Sequence, residues 1–200
     1  MSHIAVRLVA AALGGVQQGG GFPPPPVISV NTVLALQDGH LDGQDELPPN
    51  LTIYDETHHG WVATSLAPSE EALDLEYPHL AVSLGDSLSL NGLATRHGDG
   101  VSRVENQLEV GIRLVQHAND MALASTREMY YRRAIRDFLL WFHHADNAGL
   151  RQNQATGIQI ELAGDIRTAR AVRPNDDDVS VLVFLVPYTV VEPVPFDAAP

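Results

Sequence analysis

An α+β fold is the class this sequence predicts: a mainly antiparallel sheet of four or more strands, with one long amphipathic helix packed on one face. Three observations carry it. Residues 80–84, 108–114 and 158–162 alternate apolar and polar side chains, the period of a half-buried strand. Residues 131–142 instead place Tyr131, Ala134, Ile135, Phe138, Leu139 and Phe142 at helical spacing, as one stripe. Residues 179–191, "VSVLVFLVPYTVV", form a long β-branched run that closes the series. The order strand, strand, helix, strand, strand suits a helix laid across an antiparallel sheet.

The chain divides as a single domain of 200 residues: an N-terminal helix at 2–13, a Gly/Pro-rich insertion at 14–75, an α+β core at 76–192 and a tail at 193–200. In the first helix Ser2 is a suitable N-cap, and Ile4, Leu8, Ala11 and Ala12 share a face. Gly14 and Gly15 stop it. Arg7 interrupts the apolar run, which argues against a signal peptide. "GGVQQGGGFPPPP" (14–26) favours no regular structure, and Pro23–Pro26 suit a stiff spacer or a partner motif. Residues 27–36 are rich in β-branched side chains and predict a strand. Residues 37–50 form a polar loop, and 51–65 predict a strand pair turning near His59 and Gly60.

The core begins at Tyr77. "YPHLAVSLGDS" turns Leu80, Val82 and Leu84 one way, and "LSLNGLATRHGDG" is a connection. In the strand 104–118, Leu108, Val110, Ile112 and Leu114 oppose Glu109, Gly111 and Arg113, which implies one wet face. Ser125 and Glu128 have capping-box spacing before the helical stripe, and Gly149 is a C-terminal stop. Arg133 and Asp137 are placed to pair on its surface. "GIQIELAG" (157–164) is a strand, and "DIRTARAVRPNDDD" an irregular return. Pro187 cannot donate to a ladder, so the last strand should have a free edge or a bulge there.

Composition narrows the function. Twenty-five acidic residues against twelve basic ones give a net charge of −13, which disfavours gripping a nucleic-acid backbone. Every basic residue is arginine, consistent with G- and C-rich coding. The absence of cysteine removes disulfides and thiolate metal sites. No run reaches the roughly 20 apolar residues of a membrane-spanning helix.

Asp176, Asp177 and Asp178 are adjacent, so strand geometry would send them to alternate faces, and they lack the interleaved spacing of a calcium loop. They suit the charged lip of a strand. The pairs His58–His59 and His143–His144 lack the i, i+4 spacing of a helical zinc site, and the second pair suits the negative end of a helix. A metal-dependent hydrolase or isomerase built from these pairs and the aspartates is one alternative. A binding module using Pro23–Pro26 is another. No nucleophile elbow, phosphate loop or dinucleotide fingerprint is present, and the Asn50 glycosylation pattern has no secretion signal to give it meaning. No catalytic residue, cofactor or metal is therefore expected. Arg167, Arg170 and Arg173 recur every third residue just before Asp176–Asp178. A basic patch beside an acidic one can meet its complement head to tail across a subunit boundary, so these six residues are the candidate interface.

The succession "YPHLAVSLGDS", "NQLEVGIRLVQHA", "STREMYYRRAIRDFLLWF", "GIQIELAGDIRTARAV" and "DDVSVLVFLVPYTVV" resembles the tail terminator (tail-completion) proteins of long-tailed phages and related viruses. The resemblance covers residues 77–192 and the helix at 2–13, and rests on order and patterning, without an invariant motif. It implies a structural virion protein, not an enzyme. Such a protein is a hexameric ring, assembled in the host cytoplasm, that caps the tail tube and joins it to the head connector or stopper. DNA passes through it without specific binding, and no membrane is involved. The 14–75 segment exceeds the usual connection of that family, which leaves another neck or minor tail component as the alternative.

Overall fold

The structure is a computed structural model that describes residues 2–14, 21–23, 26–37, 48–54, 77–90, 95–96, 102–117, 121–171 and 179–194. Its elements are α1 (Ser2–Leu13), α2 (Val30–Ala35), β1 (Thr52–Tyr54), β2 (His79–Leu90), β3 (Thr95–Arg96), β4 (Ser102–His117), α3 (Met121–Phe142), a 3₁₀ helix (Ala145–Arg151), β5 (Gln159–Leu162), β6 (Arg167–Ala171) and β7 (Val179–Val194). The fold is α+β. A seven-stranded sheet has the order β1-β2-β4-β7-β5, with β3 beside β4 and β6 beside β7. All pairings are antiparallel except that of β1 with β2.

The spine of the sheet is the pair β4 and β7, matched from Ser102 opposite Val194 to His117 opposite Val179. Side chains alternate across a strand. Leu108, Val110, Ile112 and Leu114 thus share a face with Tyr188, Val186, Phe184 and Leu182, and β2 adds Leu80 and Val82. All are buried in one cluster with the helices. Helix α3 contributes the stripe expected of it: Tyr131, Ala134, Ile135, Phe138, Leu139 and Phe142 are fully buried. Helix α1 is buried nearly all round, from Ala5 to Leu13, rather than on the single face that Ile4, Leu8, Ala11 and Ala12 suggested. A helix apolar on every side belongs inside a core. Gly14, at φ +117°, ends it in a conformation that disfavours side chains, as expected.

The second face of the sheet is not wet. Glu109 and Arg113 are 7% and 1% exposed, and Ser83 is 0% exposed. Val115, Val181 and Val183 form a small apolar cluster there, with Val179 and Leu185 packed against it. The central strands are thus buried on both faces within one chain, without a neighbouring subunit. Alternation alone placed Glu109 and Arg113 in water. Each has a partner from a distant part of the sequence, which makes burial affordable: Arg167 for Glu109, and Ser83, whose hydroxyl accepts from Arg113 Nη2 at 3.0 Å.

Several local expectations are corrected. Residues 30–35 are helical despite their β-branched composition. Ser29 caps α2: its Oγ accepts from Thr32 N at 3.2 Å, and Thr32 Oγ1 accepts from Ser29 N at 3.3 Å. Asn31 then ties α2 to the chain entering β1, donating to Leu51 O at 2.9 Å and accepting from Leu51 N at 2.8 Å. Elements within 14–75 are therefore joined to the core, while the proposed turn at His59 lies outside the described residues. Strand β2 passes an irregularity between Leu84 and Leu88 and runs on to Leu90, into the first residues of the expected connection. Helix α3 starts at Met121, so Ser125 lies within its second turn and is not its cap. It ends at Phe142, and Gly149 lies inside the following 3₁₀ helix. The "irregular return" contains β6.

Pro187 occupies a position that tolerates it. Its carbonyl accepts from Ala163 N at 2.9 Å, on the side of β7 away from β4. In an extended strand the N and C=O of one residue point to the same edge, so the missing donor also faces that side. There the chain passes from β5, whose pairing ends at Tyr188, to β6, whose pairing begins at Leu185. The locally free edge expected at Pro187 is this gap.

Candidate interaction surface

Two of the six candidate interface residues are described, and both are engaged within the chain. The register places Arg167 beside Leu185 and Arg170 beside Leu182, so their side chains leave opposite faces of β6. Arg167 reaches Glu109 on the second face and forms a close ion pair with it. Arg170 reaches Glu128 on α3, Nη2 to Oε1 at 2.7 Å. The carboxylates are almost fully buried, whereas the arginine side chains are 67% and 68% exposed. Each guanidinium covers a buried carboxylate like a lid. Arg173 and Asp176, Asp177 and Asp178 lie outside the described residues.

The histidines do not gather. His143 lies just beyond α3, and Nδ1 donates to Leu139 O at 2.7 Å while Nε2 lies 3.0 Å from the Tyr188 hydroxyl. A carbonyl only accepts, so the proton sits on Nδ1 and Nε2 accepts from Tyr188. Burial pushes the imidazole pKa down to about 4, so His143 is neutral at pH 7 and is not the cation expected at the helix end. That role belongs to Arg151, a buried residue whose Nη1 donates to Phe142 O at 2.5 Å and His144 O at 3.0 Å. His144 is exposed beside Asp146, and His58 and His59 lie outside the described residues. Among the described residues no three His, Cys, Asp or Glu side chains are grouped to hold a metal ion.

The described surface does carry a groove of about 510 Å³ between α3 and β6. Three arginines of α3 line it, Arg132, Arg133 and Arg136, over an apolar floor that includes Leu139, Ile166 and Phe184. Arg133 and Arg136 share Asp137, at 3.6 and 2.7 Å, the first being the expected pair. Arg132 Nη2 donates to the Thr168 hydroxyl at 3.4 Å. Met129 and Leu140, at the two ends of this stretch, are 58% and 64% exposed.

Sequence reading missed this surface because it sorted α3 into a buried stripe and a solvated remainder. The signal was present in the remainder. Met129, Arg133, Arg136 and Leu140 fall at i, i+4, i+7 and i+11, a second stripe along one side of the helix. No family model matches the chain, and no curated protein shows significant similarity to it.

Proposed function

We propose that this chain is a structural virion protein, a ring-forming tail terminator that caps the tail tube and joins it to the head connector. The observation that carries the reading is the order of the larger elements, α1, β2, the long β4, α3 and the closing strands β5, β6 and β7, of which the last is long and apolar, with the shorter α2, β1 and β3 between them. That is the succession on which the family resemblance rests. The net charge of −13 supports it, because a ring that multiplies an acidic balance repels DNA phosphates and lets the duplex pass. The exposed edge strand β6 offers a surface for subunit contact. The elements α2 and β1, tied into the core from within the long 14–75 segment, favour a second reading as another neck or minor tail component.

The test is the mass of the purified chain by light scattering, with negative-stain images of the same sample. A hexameric ring with an open centre is expected. A chain that stays monomeric at high concentration, alone and with tail tubes added, removes the reading. A ring that binds neither tube nor connector keeps the architecture and moves the protein to another site in the virion.

A further inference from the structure

We propose that the groove between α3 and β6 receives an extended acidic segment of another protein, which adds to the free edge of β6 as a further strand and sets its carboxylates against the arginines of α3. The proposal goes beyond the ring reading and stands apart from it.

The two walls of the groove run side by side. Glu128 meets Arg170, and Arg132 meets Thr168. Four residues along a helix rise about 6 Å, and two residues along a strand about 7 Å. Helix and strand therefore keep pace in opposite directions, and the groove between them is a channel. Among the described residues β6 pairs with β7 alone, and Arg167 to Arg170 are exposed. Alternate backbone N–H and C=O groups of β6 thus face out along one side of the channel. A strand edge beside a helix lets an extended segment gain main-chain hydrogen bonds on one side and side-chain contacts on the other.

Charge and polarity select the occupant. The described lining contains no carboxylate; its polar groups are the guanidinia of Arg132, Arg133 and Arg136 and the Thr168 hydroxyl. Asp137 pairs with two of these arginines and offsets one of their three charges. A guanidinium only donates, so the groups set against it are acceptors, and carboxylates match both its charge and its fork. Exposed apolar side chains lie at both ends, Met129 at one and Leu140 at the other. Leu162 adds to the second end: it is exposed and lies beside Tyr188, which bonds His143 just past α3. The groove-facing positions of the occupant, every second residue, are therefore apolar at the ends and acidic between them. The net charge of −13 does not cancel this preference. At about 0.15 M salt the screening length is about 8 Å, so a short segment feels mainly the arginines it touches. A second copy is a poor occupant, because whole copies repel and the other described edge strand, β1, is Thr52, Ile53 and Tyr54, without a carboxylate.

The test is fluorescence anisotropy of the full chain with a labelled synthetic peptide, about nine residues long, that alternates threonine with leucine, glutamate, glutamate and leucine. Three results together support the proposal. Lysine in place of both glutamates weakens binding at least about tenfold, and so does Arg132→Gln/Arg136→Gln in the chain, with thermal melting to check its fold. N-methylation of one alternate set of peptide amides weakens binding as much, while the other set tolerates it, because an edge strand bonds its neighbour through every second residue. The peptide changes use the wild-type chain and need no folded variant. No binding up to about 1 mM peptide overturns the proposal. So does equal binding of both N-methylated peptides, which would mean docking without strand addition, or an unchanged affinity of the arginine variant, which would mean another site. If a short DNA duplex displaces the peptide from wild type and does not bind the variant, the arginines serve phosphate and the proposal is overturned. If the chain alone forms assemblies that the peptide takes apart, the occupant is a neighbouring copy, and the proposal falls while the ring reading stands. A monomer that binds the peptide with these dependences keeps the proposal and removes the ring.

Discussion

The hydroxyl of Tyr188, at the centre of the sheet, donates to His143 Nε2 at 3.0 Å, and this bond anchors the end of α3 to β7. Tyr188 is 0% exposed, and burial raises its pKa far above the ordinary tyrosine value, so the phenol remains a donor at any pH the fold survives. His143 is the partner that titrates. Its pKa of about 4 in the fold is below the ordinary 6.5, so the unfolded chain takes up the proton first. Stability from this residue is whole above pH 6.5 and is lost as pH falls toward 4. Thermal melting should show the wild-type Tm falling across that window. His143→Gln should be less stable at pH 7, by about 1–2 kcal/mol, with a flatter decline below pH 6.5. Equal slopes for both proteins would mean that His143 does not titrate as its burial requires.

Arg151 closes the same helix end from below. Its Nη1 serves two carbonyls, that of Phe142 at the last residue of α3 and that of His144, which also accepts from Asn147 N at 3.0 Å. Asn147 Nδ2 serves a third, that of Trp141, at 2.6 Å. Removing this buried charged donor takes the side-chain partner from the Phe142 carbonyl, while His144 O keeps Asn147 N, so Arg151→Met should cost about 2–3 kcal/mol in denaturant unfolding. Arg151→Lys keeps a charged donor at this helix end and should recover part of the loss.

The sequence carried the framework of the fold because its strands and α3 obey simple periods. The buried stripe of α3 and the helix-facing residues of β4 and β7 follow from spacing alone. Three things did not. Val30, Val33 and their neighbours look β-prone, but a Ser29–Thr32 capping box starts a helix, a local signal stronger than the weak propensity of six residues. Glu109 and Arg113 look solvated, because polarity in one strand cannot announce partners 58 and 30 residues away. Arg167 to Ala171 look irregular, because an exposed edge strand has no buried face to impose alternation. The interface candidates fared likewise: the spacing of Arg167 and Arg170 is real, but their carboxylates are supplied from β4 and α3.

The two lid-like ion pairs should therefore act on folding rather than on assembly. Arg167→Ala and Arg170→Ala each uncover a nearly buried carboxylate, and each should lower stability by about 1–2 kcal/mol, between the values for exposed and fully buried pairs. The companion variants Glu109→Gln and Glu128→Gln, combined with their arginine changes, should recover part of the loss. Association measured on the folded variants should match wild type. A selective loss of assembly with unchanged melting would return these arginines to a subunit boundary.

Two glycines separate backbone need from simple packing. Gly21 has φ +83°, and a Cβ there would lie 2.3 Å from Ala155 Cβ and 2.4 Å from Ala155 N. The approach is held by Gln154 N donating to Gly21 O at 2.7 Å. Neither the conformation nor the space admits a side chain, so Gly21→Ala must separate residues 21–23 from the turn at 154–156. The cost should be about 1–3 kcal/mol, with the loss of protection at the Gln154 amide in hydrogen exchange. Gly111 lies deep in β4, yet a Cβ there meets Ser83 Oγ at 3.7 Å and Leu185 Cδ2 at 3.9 Å, ordinary contacts. Its φ is not positive, so alanine also removes entropy from the unfolded chain. Gly111→Ala should be neutral or stabilising by up to about 1 kcal/mol. The order of the two melting temperatures decides the matter: a Gly111 variant as damaged as the Gly21 variant would mean that the second face of the sheet is packed more tightly than these distances allow.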